Sequence, residues 1–137
     1  MKKNKISINI ISSFNHANLV GLLKNNKSYD FEINETDYNQ VFQVLSNPKD
    51  KIWKKKSNIS IVWATPEDIF PEFKKLIYNE KINHNILKDQ VISFCSHLKS
   101  IKKNSDFVLI PNWILKQPIE SSIVLGYSKN RGLDYNL

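Results

Sequence analysis

Short runs with the two-residue periodicity of β-strands alternate along this chain with segments that have the periodicity of α-helices. Such alternation is typical of βαβ units, in which helices join parallel strands. The predicted strands cover residues 5–11, 28–33, 59–63 and 107–110. The predicted helices cover residues 16–24, 36–46, 65–77 and 85–103, with another beginning at 132. The sequence therefore predicts an α/β fold of three layers, with a mostly parallel sheet flanked by helices.

The strands differ in how much of their surface the sequence predicts to be buried. The isoleucine-rich first strand is predicted to be central, and the second to be half-buried, with Tyr29, Phe31 and Ile33 on one side. Residues 107–110 form a continuous apolar run, which is typical of a strand buried on both faces. Thr36 is predicted to cap the second helix.

Length and composition narrow the class of protein. A chain of 137 residues with 41% hydrophobic residues forms one domain, 1–137, and is not disordered. No apolar run is long enough for a membrane span, so no membrane partner is predicted. The apolar run after the N-terminal lysines is short, interrupted by polar residues and followed by no cleavage site, so we expect a cytoplasmic protein. Cys95 has no partner for a disulfide, and its helical apolar pattern predicts a small buried side chain.

The formal net charge of +7 raises the question of a nucleic-acid partner. All but one of the twenty basic residues are lysine, the exception being Arg131. Arginine is the residue that forms bidentate contacts with phosphates and bases, and it is almost absent. We therefore predict no nucleic-acid binding, while attraction to an acidic partner protein remains open.

Right-handed crossovers place the loops that follow all four strands at one end of the predicted sheet, where the carboxyl ends of the strands lie. In open α/β sheets, ligands bind outside the carboxyl ends of the strands. These loops cover residues 12–16, 34–40, 65–68 and 111–113. The predicted substrate-binding residues are Ser12, Phe14, Asn15, Thr36, Tyr38, Asn39, Gln40, Thr65, Glu67 and Asn112.

Ser13 is the candidate nucleophile because it follows the first strand and precedes a helix. His16 is a candidate base three residues later, although both residues also suit a helix start. His84 and His97 are predicted to lie away from the strand ends, so no complete Ser-His-Asp set is found. The chain has neither a glycine-rich phosphate loop nor metal-ligand spacing, so no metal and no cofactor are predicted.

Several short motifs resemble the N-terminal domain of FkbH-like proteins. Residues 8–14 (INIISSF) are similar to that domain's strand followed by GSF, and residues 37–40 (DYNQ) to its GDYNQY block. The stretch that begins at residues 53–56 (WKKK) and ends in Glu67 and Asp68 resembles its next block, and Gly126 and Gly132 are placed like its later glycines.

This resemblance implies an SGNH-hydrolase-like fold, followed in the family by a HAD-type phosphatase-like domain that acts with an acyl carrier protein. The predicted three-layer pattern also suits a flavodoxin-like fold. Ser13 matches the SGNH serine, whereas Thr36 stands in place of a frequent glycine and Thr65 near the place of an asparagine. The final Asp-x-x-His block has no counterpart before Leu137, so the domain is expected to be incomplete at its C-terminus.

Three functions follow as predictions. The first is a non-catalytic scaffold that presents a substrate or carrier beside a HAD domain. The second is a serine esterase or acyl hydrolase that uses Ser13. The third is an interaction module that binds an acidic carrier protein through its lysines. An apolar surface left uncovered on an incomplete sheet would also allow a homodimer.

Overall fold

A computed structural model describes residues 4–78 and 80–113 of the chain. The strands are β1 (Asn4–Ser12), β2 (Tyr29–Glu35), β3 (Ser57–Trp63) and β4 (Ser105–Leu109). The helices are α1 (Ala17–Lys24), α2 (Val41–Ser46), α3 (Pro66–Ile69), α4 (Pro71–Ile77) and α5 (His84–Ile101). Single 3₁₀ turns cover Lys51–Trp53 and Lys102–Asn104. The helix predicted from residue 132 lies outside the described residues.

The four strands form one parallel sheet in the order β2-β1-β3-β4. In its register, Ile8 of β1 lies opposite Ile33 of β2 and Ile59 of β3. The predicted α/β fold and the central position of the first strand are confirmed, and the second strand lies at an edge of the sheet. Because all strands run in one direction, the loops that follow them meet at one end of the sheet.

The two faces of the sheet are covered unequally. On one face, Val20 of α1 packs against Ile8 and Ile10 of β1. The opposite face carries the larger core, formed with α2, α3 and α5. The buried members of that core are Ile11, Val41, Val44, Leu45, Ile52, Trp53, Val62, Ala64, Ile69, Phe70, Phe94 and Ile101. The described chain therefore has helix, sheet and helix layers, as predicted.

β4 departs from the prediction that both of its faces are buried, which is wrong for the described residues. Phe107 is 67% exposed and Leu109 is 50% exposed. Their register partners are Ile59 and Ile61, so both side chains lie on the same face as α1. α1 packs over β1 and β2 and does not extend to β4, whereas Val108 points to the larger core.

The second predicted helix begins four residues later than expected, because its N-cap position is Gln40 in place of Thr36 and α2 starts at Val41. Thr36 is therefore not a helix cap. Asn39 has a φ of 62°, and this left-handed backbone conformation interrupts any helix across residues 36–40. Asparagine adopts that conformation more readily than most residues.

The predicted helix over residues 65–77 is two helices, because the backbone is extended at Phe70. Pro71 disfavours a helical residue before it but suits the first position of a new helix. Glu72, one residue later and buried, accepts hydrogen bonds from the Lys75 ammonium (2.8 Å) and the Asn83 backbone N–H (2.5 Å). These bonds hold the pKa of Glu72 below its ordinary range and tie α4 to the start of α5.

The long helix α5 lies close to its predicted limits, but its buried side is narrower than predicted. Phe94 and Ile101 are buried, and Leu98 packs against the same core. Cys95 is exposed, so the prediction of a buried thiol is wrong. Neighbouring residues on a helix point about 100° apart, so the core that receives Phe94 leaves Cys95 facing outward.

Candidate functional site

The polar site lies at the carboxyl end of the sheet, where the loops after β1, β2 and β3 meet. β1 is followed by a crossover to β2 on one side, and β3 lies on its other side. The boundary between β1 and β3 is the topological switch point, where open α/β sheets bind ligands. The described side chains form two clusters here, one on each side of the end of β1.

The first cluster joins Ser13, at the end of β1, to the start of α3. Ser13 is 8% exposed, and its Oγ donates a hydrogen bond to Oδ2 of Asp68 over 2.6 Å. The hydroxyl of Thr65 donates to the same carboxylate oxygen over 2.8 Å. The backbone N–H of Ser13 donates to the carbonyl oxygen of Trp63 (3.1 Å), so the hydroxyl and the amide are both engaged.

Ser12 and Phe14 hold the same turn in place. The Ser12 hydroxyl donates to the Phe14 carbonyl (3.0 Å) and accepts from the Phe14 N–H (3.2 Å). The Phe14 ring packs edge-on against Trp63, with ring centroids 5.0 Å apart. The N–H groups of Ser13 and Phe14 therefore have acceptors within the protein and are not aimed at an oxyanion.

The second cluster consists of His16 and Glu35, on the β2 side of β1. The buried imidazole of His16 lies with Nδ1 3.2 Å from the Phe14 carbonyl oxygen and Nε2 3.1 Å from Oε2 of Glu35. The ring is thus bonded to Glu35, whereas Ser13 is bonded to Asp68.

A cleft of about 430 Å³ opens beside this histidine. Its lining residues are Asn15, His16, Ala17, Glu35 and Tyr38. Tyr38 is 70% exposed, so its ring stands at the mouth of the cleft. Neither Ser13 nor Asp68 lines this space, and the cleft and the hydroxyl cluster are therefore separate parts of the same end of the sheet.

The remaining predicted binding residues have mainly structural contacts. The Thr36 N–H donates to the Ile10 carbonyl, and its buried hydroxyl has no hydrogen-bond partner among the described residues. The Asn39 N–H donates to the Ser12 carbonyl (3.2 Å), and the Gln40 carbonyl accepts from Val44 at the start of α2. Glu67 is half-buried and Asn112 is exposed. Within the described ranges, no side-chain hydrogen bond joins either residue to the two clusters.

Two residues central to this geometry lie in the loops predicted to form the site but were not named among its candidate side chains, namely Asp68 and Glu35. Both are carboxylates at the carboxyl end of the sheet, one in the first turn of α3 and the other at the last position of β2. Their positions at the carboxyl end could have indicated that both carboxylates belong to the site. The sequence does not specify which hydroxyl or imidazole each carboxylate contacts. Across residues 4–78 and 80–113, no three His, Cys, Asp or Glu side chains are grouped to hold a metal ion.

None of the described helices combines the length and the apolar character that crossing a bilayer requires.

A solved structure shares this fold. It is the N-terminal part of the protein BF1531 from Bacteroides fragilis, described as containing a phosphatase domain complexed with Mg. The two superpose with a TM-score of 0.65 at 17% sequence identity, over 91% of this chain. The chain spans 33% of that protein's chain, so the similarity covers about a third of its length.

No curated protein is significantly similar to the chain. The sequence profile of one protein family, described as FkbH, N-terminal domain, matches residues 6–117. That range contains all four strands and all five helices of the described structure except the first two residues of β1. The chain therefore belongs to the FkbH N-terminal domain family.

Proposed function

We propose that the chain is a docking domain of an FkbH-like protein, which presents a carrier-bound substrate to a phosphatase-type domain of the HAD superfamily and does not itself hydrolyse esters. Family membership supports the first part of this proposal. The similar Bacteroides fragilis structure, which contains a phosphatase domain, supports the second. An SGNH-like origin of the fold also belongs to the proposal and is supported by Ser13 following the central strand.

The observation that carries the non-hydrolytic role is the hydrogen bond from Ser13 to Asp68. A nucleophilic serine needs a base that accepts its proton, usually a neutral imidazole held within hydrogen-bond distance. Here the proton of the hydroxyl points to a carboxylate, which is a much weaker base than imidazole. His16, the imidazole closest in sequence, is bonded to Glu35.

The surroundings of Ser13 also lack the usual means of stabilising an oxyanion. Acyl hydrolases place free backbone N–H groups beside the nucleophile, where negative charge develops. The N–H groups of Ser13 and Phe14 instead donate to Trp63 and Ser12. The Ser13–Asp68–Thr65 cluster is better suited to holding the β1 turn against α3 than to attacking a carbonyl.

Ester hydrolysis is the direct test of the non-hydrolytic role. We expect the native chain and Ser13→Ala to hydrolyse p-nitrophenyl acetate at the same background rate. Hydrolysis by the native chain that Ser13→Ala abolishes would contradict the proposal and favour the serine esterase. Thr65→Val serves as the matched control, because it removes a hydroxyl from the same cluster and leaves the candidate nucleophile intact.

Docking is tested separately by titrating the native chain with a holo-acyl carrier protein at low salt. Calorimetric binding is the expected result. If the titration of the native chain produces no heat, and the carrier protein does not change the electrophoretic mobility of the chain, the docking function is excluded.

A further inference from the structure

Lysines are concentrated at the amino end of the sheet, opposite the polar clusters. We call this surface the basic edge and define it by the exposed lysines at the first positions of the strands or immediately before them. Its members are Lys5, Lys27, Lys54, Lys55, Lys56, Lys102 and Lys103. Three carboxylates, Asp30, Glu32 and Asp106, lie on the strands beside them. The basic edge therefore has a clear excess of positive charge.

The carboxyl end has the opposite charge. Its loops and strand ends contain Glu35, Asp37, Glu67 and Asp68, with no lysine or arginine in residues 13–16, 35–40, 64–68 or 110–113. β1 has nine residues, and at about 3.3 Å per residue it separates the two ends by roughly 25 Å. That distance exceeds the range of about 10 Å over which charges interact in moderate salt. The two ends consequently present independent electrostatic surfaces.

The carboxylates at the basic edge do not neutralise it. Glu32 lies between Lys5 (3.1 Å) and Lys55 (3.0 Å), and hydrogen bonds from Lys55 and Lys5 hold its pKa below the ordinary range. Asp106 contacts Lys56 (2.6 Å), which lowers its pKa in the same way, with help from Asn58. The other four lysines of the edge, Lys27, Lys54, Lys102 and Lys103, form no ion pair within the described residues.

Helix ends explain some lysines of this fold, but not the whole basic edge. Lys24 and Lys99 lie within the last turns of α1 and α5, where positive charge stabilises the helix dipole, and they are not members of the edge because they do not lie at the start of a strand. Lys102 and Lys103 follow α5 directly and share that role. The other lysines of the edge are not in the last turn of any α-helix, and they lie at the starts of three neighbouring strands. They are Lys5, Lys27 and residues 54–56.

We propose that the basic edge is a docking surface for an acidic protein, and that this partner binds there and not over the Ser13 cluster. The inference rests on the docking function proposed above and locates it on the molecule. Charge complementarity favours an acidic partner at the basic edge, and the four carboxylates at the carboxyl end repel it from the other site. A partner held at the amino end leaves the cleft beside His16 open.

The composition of the edge favours a protein over a nucleic acid. Its cations are all lysines, and the residues that the structure describes contain no arginine. Lysine is a flexible point charge that pairs with dispersed carboxylates, whereas bidentate recognition of phosphates and bases depends on arginine. Four strands spaced about 4.8 Å apart give the edge a width of roughly 14 Å, which matches the face of one helix.

The test is calorimetric titration with an apo-acyl carrier protein, a small acidic protein without a prosthetic arm to reach the distant cleft. The edge variant carries Lys27→Gln, Lys54→Gln and Lys103→Gln, which disrupt no ion pair of the described structure. The matched control carries Lys74→Gln, Lys81→Gln and Lys88→Gln, three exposed lysines outside the edge. We expect binding about tenfold weaker in the edge variant and nearly unchanged in the control.

Each other outcome has a definite meaning. Equal weakening in both triple variants would show that only net charge matters and would overturn the inference. Carrier binding that the edge variant retains, but that Glu35→Gln and Glu67→Gln alter, would overturn the inference and leave the docking function standing. The absence of any binding by the native chain at low salt would contradict the docking function itself.

Two competing ligands complete the experiment. Tighter binding of a duplex oligonucleotide through the same lysines would assign the edge to nucleic acids. Tighter binding of phosphatidylserine vesicles would assign it to a membrane surface. We expect the native chain to bind the carrier protein more tightly than either, with an affinity that falls as salt rises from about 0.05 M to about 0.3 M.

Discussion

The two ends of the sheet hold their carboxylates in different ways. At the carboxyl end, Asp68 accepts hydrogen bonds from two hydroxyl groups, and Glu35 contacts a buried imidazole. At the amino end, Glu32 and Asp106 are paired with exposed lysines. Hydroxyl donors on short side chains hold the carboxylate at a defined distance and angle. Lysines on flexible side chains supply positive charge without fixing the position of the carboxylate. Acidic side chains therefore stabilise an ordered turn at the carboxyl end, whereas at the amino end they belong to a surface whose ion pairs weaken as salt increases.

The largest expected effect concerns Asp68. Asp68→Ala removes the acceptor of the buried Ser13 hydroxyl and of Thr65, and we expect it to lower the free energy of unfolding by about 1–2 kcal/mol. Urea denaturation measures this loss, which should persist in about 0.5 M salt because the donors are uncharged. Glu67→Ala, in the same helical turn, is the control. Equal losses in both variants would show that the hydroxyl cluster adds nothing to stability.

A smaller effect is expected for Glu35. Glu35→Ala leaves Nε2 of His16 without its protein partner, but the carboxylate is 40% exposed and water can replace it. We therefore expect a loss of about 0.5–1 kcal/mol in the same denaturation experiment. Asp37→Ala is the control, because Asp37 is exposed in the same loop. A loss larger than that of Asp68→Ala would show that the His16–Glu35 cluster contributes more to the free energy of unfolding than the Ser13–Asp68–Thr65 cluster.

The smallest effect is expected at the amino end and depends on pH. The pKa values of Glu32 and Asp106 are lowered in the folded protein from ordinary values of 4.5 and 3.8, so both groups stabilise the fold above those values. This contribution is lost as the pH falls through the lowered values, because the folded carboxylates then take up protons. The urea midpoint of the native chain should decrease between about pH 5 and pH 3.

Removing the two carboxylates tests that assignment. The double variant Glu32→Gln and Asp106→Asn should show a shallower decrease, and the difference from the native chain should shrink in about 0.5 M salt. Asp89→Asn, on the exposed side of α5, is the control. A double variant with the full acid dependence of the native chain would show that the lysine pairs at the amino end contribute nothing.

Much of the fold follows from local patterns in the sequence. The apolar spacing predicts all four strands and α5, because each pattern reports which side of one element is buried. The same reasoning was wrong for Cys95, since on α5 the core receives Phe94, and the next side chain, about 100° around the helix, faces outward. It was also wrong for the face of β4 that carries Phe107, because burial there depends on how far α1 extends across the sheet.

The candidate site was less predictable than the fold. The placement of the candidate site at the carboxyl end was predicted from parallel topology, and Ser13 was predicted as a candidate nucleophile from its place after β1. The pairing of Ser13 with Asp68, 55 residues later, depends on how the start of α3 lies against the β1 turn. The pairing of His16 with Glu35 depends on β2 lying on the other side of β1. No local pattern specifies either distance.

The strand order has a consequence for folding during synthesis. β1 leaves the ribosome before β3, but Ile8 pairs with Ile59, which is added about 50 residues later. At typical elongation rates of about 5–20 residues per second, the isoleucine-rich strand waits several seconds for its second neighbour. During that interval β2 can cover only one edge of β1, and unpaired apolar strand edges promote aggregation. Productive folding of this chain therefore depends on the nascent β1 remaining protected until β3 has been synthesised.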